Sequence, residues 1–110
     1  MAYDVELADR LREILAGEDA VVEKRMFGGM AFLVAGHMAV GASSQGGLLL
    51  RIDPADGAAL LADPRATRFS MRGREMDGWL RIDLDGSATD DELERWTRLG
   101  VEYALSLPPK

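Results

Sequence analysis

The chain has 110 residues and no cysteine, and its 13 Lys and Arg against 19 Asp and Glu give a formal net charge of −6. That length makes one ordinary domain, residues 1–110, able to bury roughly two-thirds of its unfolded surface without staples, while the lack of cysteine excludes disulfides, thiolate metal sites and thiol redox chemistry. The acidic balance opposes non-specific attraction to phosphate backbones, and no uncharged apolar run approaches the roughly 20 residues of a membrane span, so a soluble, unsecreted, cytoplasmic protein is expected.

Asp4 is placed to cap a first helix over residues 4–16, in which Leu7, Leu11, Ile14 and Leu15 recur at helical spacing, with Gly17 ending it in a left-handed conformation. Val21 to Met26 reads as a first strand that continues past the pair Gly28-Gly29 into Met30 to Val34. Glycine weakens a strand, so the pair predicts a bulge or strong coiling there. Ala35-Gly36 makes a tight turn before a strand over His37 to Ala42. After the turn Ser43 to Gly47, Leu48 to Asp53 alternates, with Leu48, Leu50 and Ile52 on one face. Asp53 and Pro54 suit the start of a short helix over 54–62, which Asp63-Pro64 stops.

Thr67 to Arg72 reads as a strand, Gly73 to Gly78 as a loop, and Trp79 to Asp85 as a strand whose Leu80, Ile82 and Leu84 point inward. Thr89 with Glu92 forms a capping box for a long closing helix, whose apolar stripe is Leu93, Trp96, Gly100, Tyr103, Ala104 and Leu107. Pro108-Pro109 ends it. The fold class is α+β: helix, three-strand meander, helix, two strands, helix, with the helices on one face of a mainly antiparallel sheet. Alternating strands leave the second sheet face partly wet, carrying Arg51, Asp53, Trp79, Arg81 and Asp83.

Candidate chemistry is thin. His37 is the sole histidine, and its place just after a hairpin turn predicts an exposed polar residue. Ser43 and Ser44 offer a nucleophile, but their Gly and Gln neighbours are explained by turn preference. Asp83, Asp85, Asp90 and Asp91 carry oxygen ligands without the spacing of a calcium loop, and Asp90 and Asp91 have sufficient reason as first-turn anions. Gly28-Gly29 and Gly46-Gly47 are followed by strands rather than by the helix N-terminus that a phosphate cradle needs. Of the six methionines, Met26 reads as core and Met76 stays open. No catalytic residue, metal ligand or cofactor is expected.

The stretch Arg25-Met26-Phe27-Gly28-Gly29, the hairpin Phe32 to Met38, Leu48 to Arg51, Phe69 followed by Met76 and Trp79, and the helix opening Asp91 to Trp96 together resemble the TfoX/Sxy N-terminal domain family over nearly the whole chain. The resemblance implies a layout similar to small secretion-chaperone-like domains, a bacterial source, and no established catalytic residues. Members named for competence regulation are similar to this chain in their first half and continue into a helical domain. What it implies here is a stand-alone interaction or regulatory module.

Two surfaces follow from these readings. Trp79 shares its alternation with Arg81 and Asp83, and with Arg51 these residues make a candidate interface for an unknown protein partner or a second copy of the chain. The competing reading is that Arg51 or Arg81 stacks on Trp79 within the monomer. Arg65, Arg68, Arg72 and Arg74 form a candidate basic patch, which would make the chain a nucleic-acid-associated regulator; the net charge and the acidic neighbours Glu75 and Asp77 oppose this. The leading expectation is a non-enzymatic domain acting through protein contacts or homodimerisation. A small-ligand protein or enzyme with a pocket between helix and sheet is a further alternative.

Overall fold

A computed structural model describes residues 3–26, 28–44, 46–71, 73–85 and 87–108. Phe27 and Arg72, both singled out above, lie outside the described residues.

The first helix, α1, spans Val5–Ile14, and its start is set by Asp4, whose carboxylate accepts the Leu7 N–H at 3.0 Å. It buries Leu7, Ala8 and Leu11 and runs into a 3-10 turn at Leu15–Gly17. The left-handed residue after it is Ala20, at φ 59°, rather than Gly17 as expected. The strands are β1 (Val21–Met26), β2 (Gly29–Val34), β3 (His37–Ala42), β4 (Leu48–Arg51), β5 (Ala66–Met71) and β6 (Arg74–Ile82). They form one six-stranded sheet in the order β1-β2-β3-β4-β6-β5, with every neighbouring pair antiparallel. Between β4 and β5 lie a 3-10 turn at Pro54–Asp56, capped by Asp53, and the short helix α2 (Gly57–Leu60). The closing helix α3 (Asp90–Ser106) starts at Thr89, whose hydroxyl accepts the Glu92 N–H.

The α+β order is the expected one, and two strands differ in detail. The glycine pair does not carry one strand onward; β1 and β2 form a hairpin with Met26 opposite Gly29. Gly28 takes φ +77°, and a Cβ on Gly29 would lie 2.2 Å from the Ala42 carbonyl oxygen of β3, so one glycine serves the reversal and the other a close strand approach. The meander therefore has four strands. The expected loop from Gly73 to Gly78 is instead the first half of β6, because Met71 pairs with Arg74 and Ser70 with Glu75. A register shift between Arg68 and Ser70 absorbs Gly78, which is at φ +80° inside the strand.

Alternation then sorts the side chains into two layers. Leu48, Leu50 and Ile52 face the helices, as do Phe32, Val34, Leu80, Ile82 and Leu84, and they meet Leu7 and Leu11 of α1 and Leu93, Trp96, Val101 and Ala104 of α3 in the main core. Helix α3 lies close against β3: a Cβ at Gly100 would come within 2.3 Å of the Ala39 carbonyl oxygen. Ion pairs fasten the helix layer. Arg12 grips Glu23 through two N–H donors at 2.5 and 2.7 Å, Arg98 reaches Glu18 at 2.7 Å, and Arg10 bonds both Asp90 and the Ala88 carbonyl. Among the described residues no helix is long and apolar enough to cross a membrane.

Candidate functional site

The face of the sheet turned away from the helices is less polar than its expected wet residues suggest. Ala31, Met38, Leu49 and Phe69, one from each of β2 to β5, form a second buried cluster, against which Met26, Leu33 and Trp79 pack half-buried. Among the described residues this cluster is built of strand side chains alone. Met26, read as core, packs half-buried against this outer cluster. At the end of β4, Arg51 stands opposite Trp79 of β6, its guanidinium carbon 5.5 Å from the indole centroid and 5.7 Å from the Tyr103 ring of α3. Both distances are within cation–π range. The intramolecular stacking weighed for Trp79 is therefore present, and the ring still stays partly accessible.

A concave site of about 360 Å3 opens at this end of the outer face. Met26, Leu33, Met38 and Trp79 are its apolar lining and Lys24 and Arg51 its cations, with Gly36 and His37 completing the wall. Arg81 lies outside that lining, its Nε–H donating to the Gly46 carbonyl at 2.7 Å, and Asp53 and Asp83 are exposed beyond the strand ends.

Residues 13–104 match the TfoX N-terminal domain. The chain belongs to that family. No curated protein and no solved structure matches it. The match spans the whole sheet, so every residue lining the concave site falls within the TfoX N-terminal domain.

Apart from His37, which lines the concave site, the other residues singled out in the sequence of this TfoX N-terminal domain are dispersed. Arg65 is held between Asp63, at 3.3 Å, and Glu92 at the start of α3, at 2.6 Å, and these contacts pull both carboxyls below the usual carboxylate range. Arg68 faces Glu75 at 3.9 Å, and Arg74 is exposed at the β5–β6 hairpin. Arg25 lies exposed on β1, the edge strand, with Lys24 beside it.

His37 is not exposed as expected. It is 8 % accessible, and its Nε2 lies 2.5 Å from the carbonyl oxygen of Pro108 just beyond α3. Ser43 is at the opposite end of β3, so the strand separates the two groups that a hydrolytic reading would join. Asp85 accepts from the Ser87 hydroxyl and N–H, which lowers its pKa. Among the described residues no three His, Asp or Glu side chains gather as a metal site. Sequence reasoning missed Lys24 as part of the same lining as Trp79, since the two are joined only by the curvature and order of strands that lie between them.

Proposed function

We propose that this TfoX N-terminal domain is a small, non-enzymatic interaction domain of regulatory type, and that the outer face of its sheet is the contact surface. The observation that carries this reading is the half-buried apolar margin of that face, Met26, Leu33 and Trp79, seated on its buried cluster and bordered by Arg51. Tryptophan and arginine are the side chains most enriched among interface anchors, and an apolar patch with a polar rim is the usual anatomy of a contact surface. The engagement of His37 by the Pro108 carbonyl supports a structural use for the sole histidine. The test is size exclusion with light scattering, together with affinity recovery of bound proteins, on wild type and Trp79→Ala side by side. Loss of an assembly or of a recovered partner on substitution is the expected result. A wild-type monomer, with the same recovered proteins from both chains, would sink the reading.

A further inference from the structure

The cations of this acidic chain are distributed unequally between the two sides of the sheet. On the helix side Arg10, Arg12, Arg65 and Arg98 are each matched to a carboxylate. In the outer concave site, among the described residues, Lys24 is in no ion pair, Arg51 is held by the Trp79 and Tyr103 rings, and no carboxylate is part of the lining. A net charge of −6 thus surrounds a site that is itself positive, with Leu33 and Met38 of its apolar floor on the strands between its two cations, Met26 on the strand of Lys24 and Trp79 on the strand next to that of Arg51. Lys24 and Met26 come from β1 and Trp79 from β6, with β2, β3 and β4 between them. At a strand spacing of about 4.8 Å the site runs about 19 Å across the strands, the span of about six extended residues.

We infer that this site receives an extended segment of another protein, in which one or two large apolar side chains are flanked on both sides by Asp or Glu. The inference rests on the reading of the outer face as a contact surface and names the chemistry of the partner. Charge selects among occupants. A second copy bound face to face would set Lys24 and Arg51 against the same residues of its partner, because a two-fold contact is self-complementary. Single-stranded nucleic acid calls for successive aromatic platforms, whereas three of the four floor residues are Met or Leu and the indole is already stacked by Arg51. Methionine floors adapt to apolar side chains of varied shape, which suits a peptide anchor, and flanking carboxylates would meet Lys24 at one end and Arg51 at the other.

The experiment is fluorescence anisotropy of three labelled ligands on the full chain: the peptide Glu-Asp-Leu-Phe-Asp-Glu, the same peptide with Lys at every acidic position, and an oligothymidine of about 12 nucleotides. Saturable binding of the acidic peptide alone is expected, weakened about tenfold or more by raising salt from about 50 to about 500 mM. Lys24→Glu should weaken it by a similar factor, and Lys24→Arg should restore it; Lys24 is exposed on an edge strand, so both variants keep the fold. The inference is overturned by no binding of the acidic peptide, by equal binding of the lysine peptide, by tighter binding of the oligothymidine, or by indifference to Lys24→Glu. An assembly that Trp79→Ala dissolves, with no acidic-peptide binding, overturns this inference and leaves the contact face standing. If the peptide does not bind and Trp79→Ala also changes neither mass nor recovered proteins, both readings fall.

Discussion

Leu49 and Leu50 are neighbours in β4 and nearly equally buried, at 4 % and 0 % accessible, yet they belong to different environments. Leu50 enters the main core, roofed by α3, where Gly100 lets the helix backbone descend onto β3. Leu49 enters the outer cluster, shielded by its own sheet neighbours and bordered by Trp79 and Arg51. The same period-two alternation thus produces a completed face and an open-margined one. A helix covers the first, whereas side chains of the sheet itself shield the second. The proposed contact surface is the face shielded by side chains, where an incoming segment would replace them without dismantling the fold.

The largest effect that tests this contrast is the pair Leu50→Ala and Leu49→Ala. Truncation of Leu50 should cost about 3–5 kcal/mol in urea unfolding, and that of Leu49 about 2 kcal/mol, because the outer layer can collapse into the space left. Equal losses would show the outer cluster to be a closed core. Next, Gly100→Ala should cost about 1–3 kcal/mol despite the gain in helix propensity, since the added Cβ meets backbone at Ala39. Gly17→Ala, with open space around it, serves as the near-neutral control.

A smaller change is expected for Arg51→Met, below about 1 kcal/mol in stability, accompanied by a shift in Trp79 emission that Arg12→Met does not produce. The smallest effect is that of pH. Arg12 holds Glu23 below the usual carboxylate range, and Arg65 does the same for Asp63 and Glu92. Depressed folded-state values contribute stability above the unfolded carboxylate pKa of about 4, and it is lost as pH falls through the lower folded values. Thermal melts should therefore drop on acidification below about pH 4. The decline should be shallower in Arg65→Met, which lacks two of these pairings.

Much of the fold was legible in the sequence. Asp4, Asp53 and Thr89 marked helix starts that the structure keeps, and the alternation of Leu48-Leu50-Ile52 and Leu80-Ile82-Leu84 placed the core face. Glycine signals were ambiguous in kind. Gly28-Gly29 fits a bulge or a turn equally well locally, and the antiparallel pairing of β1 on β2, with Met26 opposite Gly29, decides between them. Arg74 to Asp77 carries no apolar alternation, so its strand arises from its pairing with β5 rather than from local preference. The site was half legible: Trp79 and Arg51 stood out by residue type and register. Lys24 looked like any edge cation, and the partner of His37 Nε2 is the carbonyl of Pro108, 71 residues away. Such juxtapositions follow from strand order and helix length, which no local window contains.

The strand order also bears on how the chain reaches this state. β1 through β4 can zip together by successive hairpins, and β5 with β6 by one more, all from contacts close in sequence. Among the strand pairings, joining β4 to β6 alone closes a long loop, with Leu50 meeting Leu80. Loop-closure entropy makes such a non-local seam the expected rate-limiting step of folding. The two halves that meet there also contribute the two ends of the Arg51–Trp79 stack. The proposed binding surface is then completed only when that last join is made, so a nascent or half-folded chain would present no finished site to its partner.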